Sequence, residues 1–400
     1  MEREKLWTKE FISTSIVNFV LMLSMYLLLV TMAGYAMLRF EASTGMAGLV
    51  ASIFIIGVLG GRLYAGRQIQ KFGTKKMLVI GIIIFVMMSF FYFVDFGIYA
   101  LLAVRVIQGV GLGFATTATG TIVSQVIPPS RNGEGISYFS ISVVLSTAIG
   151  PLIGIILIEA LNYTSIFVFS SIVGIVSLIM AWTIQVPVIE QQNEQVEKKG
   201  FRLSDYFEKR ALPISFALFV VAFGYAGILS FISTFSEEIG LVEAGGMFFL
   251  VYAVIILVTR PFTGKIMDVK GANSIAYPGI ILAAIGMFIL SQATTSFALL
   301  LAAVLIGLGY GNYQSCTQAV AIKVTPIERM GLANSTYFIS LDFALGMGPL
   351  VLGLIEPVFG YRGMYAILGG VILVGLVVYH FMHGRADKKL MGLAGEEKAS

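Results

Sequence analysis

Runs of about twenty apolar residues constrain this chain more than any other feature, because a helix of that length spans the hydrocarbon of a bilayer. Twelve such runs are predicted, at 11–38, 46–65, 77–94, 98–126, 136–158, 165–186, 212–235, 244–263, 274–293, 297–324, 332–355 and 364–381. Lipid offers no water to backbone N–H and C=O groups, so each run must close its own hydrogen bonds as a helix. Composition agrees: 58% of the 400 residues are hydrophobic and 12% are charged, about half the charge of a soluble domain. The single cysteine, Cys316, excludes an internal disulfide. The mixed-charge residues 1–10 lead into an apolar run longer than a signal-peptide core, so no cleaved signal is expected.

Basic residues set the sidedness. Of 26 Lys and Arg, only Arg39 and Arg362 fall in the loops of one side, while Arg62, Arg105 and Arg260 lie in or at the ends of helices. The others share the opposite side with both termini, and such a bias marks the cytoplasmic face. Both termini are therefore expected in the cytoplasm, with the chain in a cell membrane of bacterial type. The net charge of +4 follows from this topology and calls for no nucleic-acid partner. A polar Gln/Glu/Lys stretch divides the chain. The predicted organisation is an N-terminal six-helix bundle at 1–186, a cytoplasmic linker at 187–211, a C-terminal six-helix bundle at 212–383 and a cytoplasmic tail at 384–400.

The two halves are one unit written twice, at a fixed offset of 198. "RLYAGRQIQKFG" (62–73) aligns with "RPFTGKIMDVKG" (260–271), placing Arg62 on Arg260, Gly66 on Gly264, Arg67 on Lys265 and Gly73 on Gly271. The same register carries "GVGLG" (109–113) onto "GLGYG" (307–311) and Pro128, Arg131 and Gly133 onto Pro326, Arg329 and Gly331. It also sets Gly150-Pro151 on Gly348-Pro349. Two pseudo-symmetric bundles with a site between them is the architecture of a rocking transporter.

These residues resemble the major facilitator superfamily, and within it the twelve-helix drug:proton antiporter branch. "GRQIQKFGTKKML" (66–78) is similar to the family's loop after the second helix, "RVIQGVGLG" (105–113) to its fourth-helix motif, and "STAIGPLIG" (146–154) to its fifth-helix Gly-x-x-x-Gly-Pro-x-x-Gly pattern, with Ser146 in place of the first glycine. The resemblance implies the major facilitator fold, basic loops that act as cytoplasmic gates, and, through the fifth-helix pattern, export rather than import. The family's loop acid, four after the leading glycine, is Gln70 in the first copy and Asp268 in the second. Gln70 can hydrogen-bond but supplies no charge. Asp268 is expected to engage the Arg131 region at the start of the fifth helix.

Glycines four apart, as at Gly150 and Gly154, let helix backbones approach closely in lipid, and Pro151 bends its helix by removing a donor. The segment 146–154 is expected to pack against the other half and seal one conformation against ion leak. Arg105 is costly within a span, and its repeat mate is Ala303, so the duplicated fold does not demand it. It either ties the fourth helix to neighbouring carbonyls or tunes the proton affinity of a carboxylate, which a nearby cation lowers and desolvation raises. The one carboxylate read as mid-span is Asp342, in "ISLDFALGMGP", with Val144 as repeat mate. Three roles are open to it: protonation-linked transport, a helix-contact hydrogen bond, or direct binding of a cationic solute. Branch members that carry an acid in the first helix are not matched here, where Asn18 and Tyr26 stand.

Tyr310, Tyr313, Gln314, Thr317 and Gln318 fall at i, i+3, i+4, i+7 and i+8, one face of a regular helix. By resemblance, the first, fourth, seventh and tenth helices line a central cavity, which adds Asn18, Met22, Tyr26, Gln108, Phe223 and Tyr225. This mixture suits a small hydrophobic or amphiphilic solute. His380 and His383 are too few for a metal site. The sole Gly-Lys, Gly264-Lys265, is followed by Ile266, so no ATP-binding P-loop occurs, and no nucleophile–base constellation suggests an enzyme. The expected function is proton-coupled export by alternating access, with a monomer using the proton gradient and no cofactor. The alternative is a proton-coupled uptake symporter of a small organic solute.

Overall fold

The computed structural model describes residues 4–186 and 206–387, so the predicted tail beyond 387 and most of the predicted linker lie outside the described residues. Every long element is helical. The helices are α1 (Lys9–Phe40), α2 (Thr44–Phe72), α3 (Thr74–Phe91), α4 (Ile98–Val126), α5 (Asn132–Ala160), α6 (Tyr163–Thr183), α7 (Leu212–Glu238), α8 (Val242–Lys270), α9 (Asn273–Ser291), α10 (Ser296–Lys323) and α11 (Met330–Tyr379). Among the described residues, eleven helices are long and apolar enough to cross a membrane, where twelve runs were expected. The difference lies in α11, whose 50 residues are interrupted at Gly360, with φ 65° and ψ 171°. Two helices meet there across a kink that falls between the last two predicted runs, at a glycine conformation that residues with a Cβ rarely adopt.

Local chemistry sets the helix ends. Thr8, Asn162 and Thr295 accept the backbone N–H three residues on, capping α1, α6 and α10. At the two basic loops Gly73 and Gly271 turn the chain at φ 84° and 86°, so α2 and α8 stop at the same repeat position.

The chain forms two compact units. The first gathers the described parts of 4–128, 142–208 and 325–339; the second gathers 129–141, 209–324 and 340–387. Both α5 and α11 change unit along their length, after Ile141 and after Ile339, residues that are themselves repeat mates. In the first unit α2 and α4 interlock through Gly57 against Gly109 and Gly61 against Gly113, where an added Cβ would collide with the opposing backbone. Small residues replace side-chain bulk with backbone contact, the usual source of helix association in lipid. Asn18 ties α1 to α5 and α4, donating to Ser142 Oγ at 2.8 Å and accepting from Thr119 Oγ1 at 2.9 Å.

In the second unit Gly279 packs on Gly309 and Gly286 on Ala302, joining α9 to α10. Asn312 of α10 donates to Thr259 Oγ1 of α8 at 3.0 Å and accepts from Thr263 Oγ1 at 3.0 Å. The α10 segment Gly307–Gly311 is a π turn. Such a turn adds a residue to the local repeat and changes which face the following side chains present.

Candidate functional site

Arg105 is wholly buried in the first unit. Its Nε donates to Val50 O and its Nη2 to Ala51 O, both at 3.2 Å, and its Nη1 reaches Gln108 Oε1 at 3.4 Å. The guanidinium carbon lies 4.5 Å from the centroid of the Phe54 ring. Gln108 Oε1 also accepts from the Tyr92 hydroxyl, and its Nε2 donates to Ser89 Oγ at 3.0 Å. Among the described residues no carboxylate pairs with Arg105. The partners are those of a clasp joining α4 to α2 and α3.

The cavity expectation for Gln108 and Asn18 is corrected by this packing. Both side chains are buried, and both ends of each amide are taken by neighbours. Polar residues in lipid-spanning helices satisfy one another first, and the spacing in α4 and α1 gives no sign of it. Met22 is buried as well, whereas Tyr26 is half-buried and packs against Gly150.

The polar stripe on α10 is also divided. Tyr310 sits inside the π turn and stacks on Tyr225 of α7, with centroids 4.2 Å apart, and Tyr225 stacks in turn on Tyr252 of α8 at 5.5 Å. Tyr313, beyond the turn, meets Tyr379 edge-on at 6.0 Å. Regular 3.6-residue spacing would have kept both on one face; the π turn separates their neighbours. Thr317 bonds back to Tyr313 O and Gln314 O. Gln314 is half-buried, and Gln318 is buried with Nε2 lacking a hydrogen-bond partner among the described residues.

Asp342 is half-buried about three turns into α11, in the second unit. Its chain neighbour Phe343 stacks on Phe219 of α7 at 5.9 Å, and Phe219 contacts Phe223 at 6.5 Å. A half-buried carboxylate in such a helix can bind a proton or pair with a cation. Phe219 and Phe343 were not singled out from sequence, because a phenylalanine in an apolar run looks like core.

The basic loops have well-defined partners. Asp268, near the end of α8, accepts the Gly133 N–H at 2.7 Å and the Glu134 N–H at 2.9 Å, meeting the first turn of α5 as anticipated. A carboxylate there answers the unpaired donors and positive dipole of a helix start. Around it Arg131 pairs with Glu134 at 2.9 Å and Lys265 with Glu134 at 3.8 Å. A Cβ on Gly264 would lie 2.7 Å from Glu134 Cα, so glycine is needed for the approach. Arg260 is buried and donates to Ser137 O at 3.3 Å and Gly311 O at 2.9 Å.

In the first unit Gly66 faces Ser335, whose hydroxyl donates to Arg62 O at 2.7 Å; Arg62 lies 4.6 Å from the Phe338 centroid. Gln70 donates to Glu328 O. The expectation that 146–154 packs on the other half is overturned. A Cβ on Gly150 would lie 2.9 Å from Tyr26 Cβ and 3.0 Å from Leu23 O, and one on Gly154 would lie 2.9 Å from Thr31 Cγ2. Ser146 Oγ is 2.9 Å from Phe19 O. The glycine face and Ser146 thus seat α5 on α1 of the same unit, because a flat strip matches a neighbouring ridge at close range. At the predicted histidine pair, His380 Nδ1 lies 2.7 Å from the Tyr277 hydroxyl and His383 pairs with Asp387 at 3.5 Å.

Eleven long apolar helices among the described residues and a basic loop that occurs twice in the sequence define a polytopic membrane protein. The family model described as the Major Facilitator Superfamily matches residues 14–344 and 279–398, and the chain belongs to that family. An uncharacterized MFS-type transporter of Methanocaldococcus jannaschii is 26% identical over 374 residues, covering 91% of this chain and 96% of the relative. The staphylopine export protein of Staphylococcus aureus is 21% identical over 353 residues, covering 84% and 87%. The solved structure of the proton:xylose symporter XylE superposes with a TM-score of 0.73 at 13% identity, covering 94% of this chain and 95% of that one.

Proposed function

We propose that this transporter is a proton-coupled exporter of a small hydrophobic or amphiphilic solute, working by alternating access. Asp342 carries the reading: a half-buried carboxylate about three turns into a span, next in the chain to Phe343, which stacks on Phe219. Ionisable groups at that depth are costly and are kept for ion or solute pathways. Export is supported by the Gly150-Pro151-Gly154 pattern and by likeness to the staphylopine export protein. In this reading Arg105 fixes α4, and Asp268, Gln70 and their glycines gate the cytoplasmic side. Twelve spans with both termini cytoplasmic, a cell-membrane location, a monomer and a proton gradient as energy source complete the proposal. Gly360 marks the turn between the last two spans.

A proton-coupled uptake symporter is the second reading, favoured by the shared fold of the xylose symporter. Proteoliposomes loaded with a pH dye separate the two. Solutes that raise the thermal midpoint of the purified protein, from a panel of amphiphilic amines, sugars and carboxylates, are tested under an imposed pH gradient. Export predicts solute moving opposite to protons; movement with protons establishes the symporter. Asp342→Asn is expected to abolish gradient-driven accumulation and spare solute exchange. Full coupling in that variant removes Asp342 from the mechanism.

A further inference from the structure

The repeat register exposes an asymmetry in charge between the two basic-loop clusters. In the second unit the cluster holds two cations and two acids: Arg131, Lys265, Glu134 and Asp268. Adding 198 to positions 67, 70, 131 and 134 links the two copies. The first-unit counterparts of those four are Arg329, Arg67, Leu332 and Gln70. Both cations persist and both acids are gone.

Two groups from outside the repeat stand in their place. Glu208, from the end of the stretch between α6 and α7, is buried and pairs with Arg329 at 2.6 Å. Its backbone N–H donates to Thr336 Oγ1 of α11 at 2.9 Å. Tyr206, two residues earlier, accepts from Arg67 Nη1, and the guanidinium carbon lies 4.8 Å from the tyrosine centroid. The Glu208 side chain is 4% exposed, against 41% for Arg329, so the acid is the inserted partner. A buried carboxylate is costly unless paired, and this one is paired with Arg329 while its own backbone N–H is held by Thr336.

We propose that Tyr206–Glu208 is a surrogate latch: the connecting segment supplies in trans to the repeat the countercharge that Leu332 and Gln70 no longer provide, and so holds the first turns of α11 to the last turns of α2. One arm of the gate is thereby placed under control of Tyr206 and Glu208, and α11 can leave α2 only when Glu208 leaves Arg329 or Tyr206 leaves Arg67. The inference rests on the alternating-access reading.

The test is made on the full chain in lipid nanodiscs without solute, so failure of the export reading in flux assays leaves its result intact, and the reverse. Spin labels at Lys71→Cys and Ile327→Cys, in a Cys316→Ser background, report the α2–α11 separation by pulsed dipolar spectroscopy. The parent is expected to populate mainly a short distance. Glu208→Gln, nearly isosteric, is expected to lower the short-to-long ratio about tenfold, through loss of the charge that faces Arg329 at 2.6 Å. Restoring an acid at the repeat-equivalent place, by Leu332→Glu or at the exposed Gln70→Asp, is expected to raise the ratio again in the Glu208→Gln protein. A parent without the short distance, a ratio that Glu208→Gln leaves unchanged, or a fall that neither acid reverses would each overturn the latch. Rescue by an acid at a different position distinguishes countercharge from mere packing. Should Leu332→Glu fail to give monodisperse protein, the Gln70→Asp arm decides.

Discussion

Arg105 permits a prediction in which the order of two variants matters more than either value. Its three hydrogen bonds, at 3.2, 3.4 and 3.2 Å, are all longer than the usual optimum, which puts each at the low end of about 1.5–3 kcal/mol for bonds to a charged group. Against their sum of about 4 kcal/mol stands the cost of keeping a guanidinium dry without a carboxylate beside it. Arg105→Met removes both terms and keeps much of the stem packing, so a net loss of about 1–3 kcal/mol is expected. Arg105→Lys keeps the buried charge and loses the planar fork that reaches Val50, Ala51 and Gln108 together, so it should cost more, about 3–5 kcal/mol. Equilibrium unfolding of the full chain in mixed micelles measures both. If Lys behaves as the parent does while Met is the damaging change, the site uses charge rather than the clasp, and the assignment of Arg105 as a helix tie is wrong.

Two further outcomes follow from close contacts. Gly150→Leu places a side chain where even a Cβ would lie 2.9 Å from Tyr26; an overpacking cost of about 1–3 kcal/mol should leave monodisperse protein whose solute flux in vesicles is lost, and undiminished flux would refute a role for the α5–α1 contact in cycling. Asp268→Asn keeps one acceptor oxygen, sets an amide NH2 against the other N–H of the Gly133–Glu134 pair and loses the charge at a helix start, a loss of about 1–3 kcal/mol; amide exchange of the peptide covering 129–140 should quicken about tenfold, and unaltered exchange would show that the carboxylate does not hold that turn.

Much of this molecule is legible in its sequence because lipid allows few solutions. The apolar runs forecast helices, and the 198-residue register located the paired loops whose contacts, Asp268 on Gly133 and Gly66 on Ser335, the structure displays. Other features had no local signal. Gln108 and Asn18 read as cavity polar groups, yet their amides are satisfied by Tyr92, Ser89, Ser142 and Thr119 from other helices. The α10 stripe assumed a regular helix, and a π turn over Gly307–Gly311 changed its phase.

The sequence by itself determined the helical class, the duplication and the family, since each depends on hydropathy and spacing along one dimension. Tertiary structure alone decided that α5 rests on α1, that Arg105 is held by carbonyls, and that Glu208 answers Arg329 across 121 positions of chain (208 to 329). Those outcomes depend on which donors and acceptors meet once the helices pack. A residue's own neighbours in the chain carry no record of a partner brought near only by folding.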